Sequence, residues 1–246
     1  MGDLHPCDLV VFAAHPDDAE LTCGGLLLAS RHQGWRTAVV EMTRGELGTR
    51  GTPEIRAREC EEAAKILGLT VRTNLGLPDG GLRDTDEARR AVVRAIRSLR
   101  PRLVVAPPLR SDHHPDHIAT GEILERSIYL AGIRKFVPDL EPFRPRALVH
   151  YMGTRLTGPP AFIVDVSPFM EDRRRAILCH ASQVGPAAPD EPPTRIGHPE
   201  FLSAIEARLR HFGWMIGVSH GEAFTMETPV PVGDLVGLFG TEPPSA

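Results

Sequence analysis

The feature that most restricts this chain is a recurring pair: a short, wholly apolar run followed by a longer stretch with helical character. Leu9–Ala14 is such a run, and residues from about Glu20 to Gln33 then read as a helix that stops before Gly34. A continuous apolar run of that length suits a strand buried on both faces. The pair recurs with Thr37–Met42, a polar loop over Thr43–Gly51, and a helix running to Leu67 and ended by Gly68. Thr52 as N-cap, Pro53 in the first helical position and Glu54 in the first turn mark where that helix starts. Val71–Leu75 is a brief strand and Pro78–Gly81 a loop. A helix capped by Asp84 or Thr85 then runs to Leu99, before Pro101. Leu103–Ala106 is the next strand, and a helix from about His117 to Ala131 follows a loop that reaches Asp116. This alternation predicts parallel strands joined by crossover helices, with helices on both faces of the sheet.

After Gly132 the rhythm changes. Ala147–Met152 and Ala161–Val166 read as strands, and Ser167-Pro168 opens a helix through about His180. Gln183–Gly197 is Pro-rich and reads as a mobile loop; Pro199–Phe212 is a helix with Gly213 as its stop, and the tail from Glu222 has room for one more strand. The expectation is a single α/β domain over residues 1–246, a length that one α/β body can fill. Its core, 1–132, is a Rossmann-like, mostly parallel sheet with helices on both faces, and 133–246 is a small C-terminal α+β addition to the same domain.

Composition removes several function classes. Lys plus Arg number 28 against 32 Asp plus Glu, a net charge of −4, which argues against a general nucleic-acid binder. Nearly all the basic residues are Arg, since Lys occurs only at Lys65 and Lys135. Aromatics at 5 % are too sparse for a stacking platform. The four cysteines, Cys7, Cys23, Cys60 and Cys179, lie far apart and form neither a zinc finger nor a disulfide framework. Met1–Asp8 lacks a basic stretch followed by an apolar one, and no apolar run approaches the ~20 residues that span a bilayer. A cytoplasmic protein without membrane attachment is expected.

The chemistry concentrates in two segments, each just after an expected strand. They are Ala14-His15-Pro16-Asp17-Asp18-Ala19-Glu20 and Asp112-His113-His114-Pro115-Asp116-His117. In open α/β sheets, ligands bind beyond the carboxyl ends of the strands. If the two strands are neighbours, the clusters face each other. His15 and Asp18, three apart at a helix entry, can converge on one point, and His117 can add a third ligand. Two His and one carboxylate with an open position suit catalytic zinc; the same set suits Fe(II). The carboxylate of the Asp pair that stays off the metal can take a proton from water. His114 falls near the same water, with Asp116 able to orient its ring. A lone His-x-x-Asp is more often a helix cap than a ligand, and Asp17 or Asp18 alone would fit a cap. Two such clusters at two strand ends favour a site.

The AHPDDAE and HPDH segments resemble the signature pair of the PIG-L / LmbE-like de-N-acetylases. The resemblance extends to Thr43-Arg44-Gly45-Glu46, Arg56, Leu67-Gly68, Asn74-Leu75 with Leu77-Pro78-Asp79, and Ala131–Lys135, and covers nearly the whole chain. It is strongest toward the branch that deacetylates N-acetylglucosaminyl-malate in bacillithiol synthesis. The resemblance implies zinc on His15, Asp18 and His117, with Asp17 as general base. It implies that His114 stabilises the oxyanion or protonates the leaving amine, that Asp116 tunes it, and that Arg56 holds substrate. It also implies a homo-oligomer, a trimer or hexamer, and a small acetylated amino-sugar as substrate. Two positions depart from the branch: His180 and His220 stand where its members often carry Tyr, and both are candidate substrate contacts.

An anionic malate glycoside would draw on arginines near the same sheet edge, and Arg44, Arg50, Arg56 and Arg110 fall there. With Arg so abundant, most of these also fit solvated surface positions; a chitooligosaccharide would not need the cluster. Gly217-Val218-Ser219-His220-Gly221 matches the nucleophile-elbow pattern, but no His follows it, and Pro229 and Pro231 oppose the helix such an elbow needs. A nucleotide-binding domain lacks its glycine fingerprint here, since Cys23-Gly24-Gly25 is not one. A non-catalytic metal or sugar-binding module is the remaining rival. His5, His32, His113, His150, His198 and His211 read as surface, loop or core residues.

Overall fold

The structure is a computed structural model, and it describes residues 5–110, 114–153, 158–185 and 191–233. The chain begins with the expected alternation: β1 Leu9–Ala13, α1 Asp18–His32, β2 Thr37–Thr43, α2 Pro53–Leu67, β3 Val71–Leu77, α3 Asp86–Leu99, β4 Leu103–Ala106 and α4 Pro115–Leu130. It continues through β5 Ala147–Tyr151 and β6 Phe162–Asp165, then a 3-10 turn at Ser167–Phe169. α5 Met170–Leu178, the short α6 Ala181–Val184, α7 Phe201–Met215 and β7 Gly221–Thr225 follow.

The strands form one seven-stranded sheet in the order β3-β2-β1-β4-β5-β7-β6. The pairs from β3 through β5 are parallel. β7 is antiparallel to both β5 and β6, so the added region extends the sheet with the opposite strand direction. All five residues of β1 are buried. The strand feeds two cores by alternation, as a pleated strand covered on both faces must. Val10 and Phe12 pack with Val92, Ile96 and Leu99 of α3 and with Ile123 and Leu124 of α4. Leu9, Val11 and Ala13 pack with Leu26 and Leu27 of α1 and with Phe224 of β7. A third cluster, Leu21, Ile177, Val184, Ile205 and Leu209, seats α5, α6 and α7 against α1.

Local signals set most boundaries. Thr52 Oγ1 accepts from the Ile55 amide at 3.3 Å, and Gly68 closes α2 at φ 62°. Thr85 is the α3 cap, accepting from the Ala88 amide, while the Asp84 carboxylate pairs with Arg89. α4 begins earlier than expected, because Pro115 takes the first helical position and His114 becomes the N-cap. Gly213 does not stop its helix, and α7 continues to Met215. A Cβ there would lie 2.6 Å from the His220 amide, so the glycine serves close packing of the returning chain. Gln183 sits in α6 rather than in a loop.

Candidate active site

β1 and β4 are hydrogen-bonded neighbours, so the segments that follow them meet across the carboxyl edge of the sheet. There His15, His114 and His117 form a ring cluster, with centroids 4.5 Å apart for His15–His114 and 5.5 Å for the other two pairs. Asp18 lies between two of them. Its Oδ2 is 3.4 Å from His15 Nδ1, and its Oδ1 is 3.2 Å from His117 Nε2. One donor atom from each of His15, Asp18 and His117 lies within 4.8 Å of the others. The other face of His15 is held by carboxylates: Nε2 is 3.1 Å from Asp79 Oδ1 and 3.4 Å from Asp116 Oδ2. A ring whose one nitrogen meets carboxylates and whose other faces the donor set is the usual arrangement behind a metal-binding histidine.

Burial alone would push the His15 pKa down, yet Asp116, Asp18 and Asp79 together push it up to about 12. Burial alone would raise Asp18, yet His117 and His15 hold its carboxyl well below the ordinary range. The cluster therefore favours concentrated positive charge between two nitrogens and a carboxylate, and that donor chemistry fits a divalent metal. A second combination, His15, His114 and Asp116, is equally close. Its atoms have other duties: Asp116 accepts from the Gly80 amide at 2.7 Å and the Leu82 amide at 3.3 Å, and its own amide donates to His114 Nδ1 at 3.2 Å.

Asp17 takes a different direction from Asp18. Its backbone has φ 118°, a left-handed value rare outside glycine. Its side chain makes no cap bond; instead Oδ2 is 3.1 Å from Arg56 Nη2, which also donates to the Pro16 carbonyl at 2.5 Å. Burial raises its pKa to about 6 against the pull of Arg56. The fused position of the two acids thus splits them: Asp18 faces the imidazoles and Asp17 faces a guanidinium. Both, with His15, Arg56, Asp79, His114 and His117, line one cavity of about 540 Å³.

Residues 10–128, which contain both segments, match a family model described as PIG-L, GlcNAc-PI de-N-acetylase. The diacetylchitobiose deacetylase of Thermococcus kodakarensis is 31% identical over 183 residues, 69% of this chain and 67% of that protein. The chain belongs to the PIG-L family. A probable N-acetyl-alpha-D-glucosaminyl L-malate deacetylase of Bacillus anthracis is 29% identical over 71% of this chain and 80% of its own length. A conserved protein of Thermus thermophilus has the same architecture, with 40% identity, a TM-score of 0.83, and coverage of 93% of this chain and 98% of that one.

For a PIG-L protein the other expected contacts divide sharply. Arg56 is buried at the cavity wall. Arg44 is exposed and borders a separate cleft with Glu41 and Arg72. Arg110 is exposed and absent from the cavity wall, and Asp112 and His113 beside it fall outside the described residues. Arg50 is buried but braces the chain, donating to the Gly185 carbonyl at 2.8 Å and to Glu191 at 3.0 Å. His180 is not at the cavity: it is fully buried, with Nε2 3.3 Å from Glu20 Oε2 but off hydrogen-bond geometry. His220 does not line the cavity either; it borders a small cleft with Glu206 and Arg173. Ser219 Oγ is 3.0 Å from His220 Nδ1, but His220 Nε2 is 3.8 Å from Glu206, beyond hydrogen-bond reach, and the loop precedes β7 rather than following a strand. The Asp116 carboxylate serves His15, not His114; only its amide meets His114. That amide makes His114 Nδ1 an acceptor, so the proton of the neutral ring sits on Nε2. Burial, then His15 and His117, lower the His114 pKa, consistent with a neutral ring.

Several cavity residues had no assigned role in the sequence. Asp79 follows β3, and its position at the carboxyl end of a parallel strand was its available signal. Leu47, Tyr151, Gln183, Arg195, Phe201 and Arg208 reach the cavity from scattered elements and carry no local pattern.

Proposed function

We propose that this N-deacetylase hydrolyses the acetamide of an N-acetylglucosaminyl compound, namely an N-acetylglucosaminyl malate of the kind used in bacillithiol synthesis. The observation that carries the reading is the juxtaposition, on one cavity wall, of the His15–Asp18–His117 donor set with Asp17 and with a His114 ring whose Nε2 carries its proton. His15, Asp18 and His117 would hold the metal, read as zinc with Fe(II) as the alternative; when bound it polarises the acetamide carbonyl and acidifies a water. Asp17 accepts the proton of the attacking water, and Arg56 fixes its orientation. His114 Nε2–H donates to the carbonyl oxygen as negative charge develops there. The C–N bond breaks as Asp17 returns the proton to the leaving nitrogen, giving the free amine and acetate. Asp116 and Asp79 act through His15, whose tautomer and direction they fix.

The relatives' small amino-sugar substrates support a cytoplasmic enzyme acting on a metabolite. Among the described residues no helix is long and apolar enough to cross a membrane. We infer a homo-oligomer, trimer or hexamer; light scattering that returns a monomer at micromolar concentration overturns this. A second reading has its own support in the 31% identity to a diacetylchitobiose deacetylase: a chitooligosaccharide as substrate. Amine release measured across N-acetylglucosaminyl malate, N-acetylglucosamine and chitooligosaccharides decides. Preference for the malate glycoside sustains the first reading, preference for the oligosaccharides the second, and no release from any of them removes both.

A further inference from the structure

The cavity wall carries two groups of opposite charge. One is Asp17, Asp18 and Asp79 among the three histidines. One face of α7 forms a wall: Phe201, Ile205 and Arg208 all line the cavity and are spaced i, i+4 and i+7. Such residues form a single row along a helix, about 10 Å from end to end. Leu21 and Ile196 extend its apolar part. The row ends in a cation, and a second cation, Arg195, joins it from the segment before α7.

The other arginines near the acidic group have structural bonds of their own: Arg56 to Asp17, Pro16 and Gly45, and Arg50 to Gly185 and Glu191. Arg208 donates from Nη1 to the Gly153 carbonyl at 3.0 Å, a bond that steadies its guanidinium at the cavity wall. Arg195 is exposed and makes no ion pair among the described residues. A cavity of about 540 Å³ also exceeds what one pyranose ring fills, so the acetylated sugar leaves room for a further group.

We propose that Arg195 and Arg208 form an anion subsite for the aglycone. The substrate is then a glycoside of an N-acetylated amino-sugar whose aglycone bears a carboxylate or phosphate. Its acetamide sits at the His15, Asp17, Asp18 and His114 cluster, its ring lies along Phe201 and Ile205, and its anionic group reaches the two arginines. Planar guanidiniums bind such groups through paired, charge-assisted hydrogen bonds. The proposal rests on the deacetylase reading of the same cavity and assigns the recognition to arginines of the C-terminal region, not to Arg44 or Arg110.

The test uses four substrates: N-acetylglucosaminyl malate, its neutral dimethyl ester, N-acetylglucosamine 1-phosphate and diacetylchitobiose. The quantity read is kcat/KM for each anionic substrate relative to the neutral ester, for the wild type and for Arg195→Gln and Arg208→Gln. The wild type should favour one or both anionic substrates by about tenfold or more, carried in KM. Each variant should bring that ratio most of the way to one, and added salt should do the same in the wild type. Arg195→Gln breaks no ion pair among the described residues, so it keeps the test sound if Arg208→Gln loses stability through Gly153. A wild type that does not discriminate charge, or an unchanged ratio in Arg195→Gln, overturns the proposal. If no substrate releases amine, the deacetylase reading falls instead. Calorimetric titration of the malate glycoside into wild type and Arg195→Gln then reads the subsite without turnover, and equal binding overturns it.

Discussion

At the scale of single residues, the two adjacent acids show how one dipeptide can serve two chemistries. Asp17 holds a backbone conformation that costs on the order of 1–3 kcal/mol outside glycine, and the Arg56 bonds to Pro16 and Asp17 keep it there. Its carboxylate meets Arg56 at the cavity wall. Asp17→Asn should therefore retain the metal found by elemental analysis while kcat falls about 100-fold or more. Near-wild-type turnover would remove Asp17 as base. Asp79→Asn should behave differently: it loosens the grip on His15 Nε2, and metal affinity measured by chelator competition should drop about 10- to 100-fold. The sequence made the His and Asp of the two main segments visible because each follows a fully apolar strand. It could not separate Asp17 from Asp18 by spacing, since their divergence depends on φ at one residue and on an arginine 39 positions away. Nor could it place His180. His180 reads as a substrate contact because members of the resembled branch often carry Tyr there, yet the turn at α6 carries it inward, against Glu20.

Packing between elements explains what that inward histidine does. Arg72 on β3 donates to Glu41 of β2 at 2.6 Å and to Glu20 of α1 at 2.5 Å, and His180 meets the same Glu20 carboxylate. Four charged or titratable side chains thus sit nearly sealed between sheet and helices. Burial pushes the Glu20 pKa up, but Arg72 and His180 pull it below the ordinary 4.5 to about 2. A carboxyl held below its unfolded value stabilises the fold above that value, and loses this stabilisation as pH falls toward the folded one. Glu20→Gln should cost about 1.5–3 kcal/mol near neutral pH, because the buried Arg72 loses one of its two carboxylate partners and keeps Glu41. The gap between wild type and variant, read from urea midpoints, should stay constant above about pH 5 and narrow steadily below it. A gap that widens on acidification would contradict this account. Gly25 is a second contact between elements. A Cβ there would come within 2.5 Å of Val166 Cγ1 and 2.9 Å of Glu222 Oε1. Gly25→Ala should lower stability by about 1–3 kcal/mol despite the better helix propensity of Ala, and a rise in Tm would refute the packing argument. The helix and strand pattern of the first 130 residues was readable because each element carries its own cap or apolar run. The passage of α7 through Gly213 was not, because that glycine answers to a chain segment that arrives later.

For the whole molecule, the division at residue 132 marks a change of rhythm rather than a change of body. β7 lies between β5 and β6, and Phe224 packs in the same core as Leu27 of α1. We therefore infer a single domain. A buried ion pair of the later region, with Arg173 Nε 3.0 Å from Glu222 Oε1, is tied to α1 by both of its members. Glu222 accepts from the Gly25 and Leu26 amides at 2.9 and 2.8 Å, and Arg173 donates to the Leu21 carbonyl at 2.8 Å. Residues 1–132 expressed alone should show neither a cooperative thermal transition nor metal retention; a sharp transition in that fragment would make 1–132 an autonomous domain. The legibility of the molecule follows the same line. Parallel βα units repeat, so each confirms the next, whereas Arg195, Arg208 and Phe201 gain meaning only once the late helix is folded back across the first one.

The Arg173–Glu222 pair also sets a rule for recombining relatives. The first helix borrows hydrogen-bonding partners from β7, so the C-terminal half cannot be exchanged as a free cassette. A chimera that joins this chain's first 132 residues to another C-terminal half will inherit a working α1 only if the donor supplies both a buried guanidinium beneath Leu21 and a carboxylate beneath Gly25. Donors with one member of the pair should give insoluble chimeras, and adding the missing partner should recover them. New substrate ranges would then be reached by grafting the cavity-facing row of α7 onto this scaffold rather than by swapping whole halves.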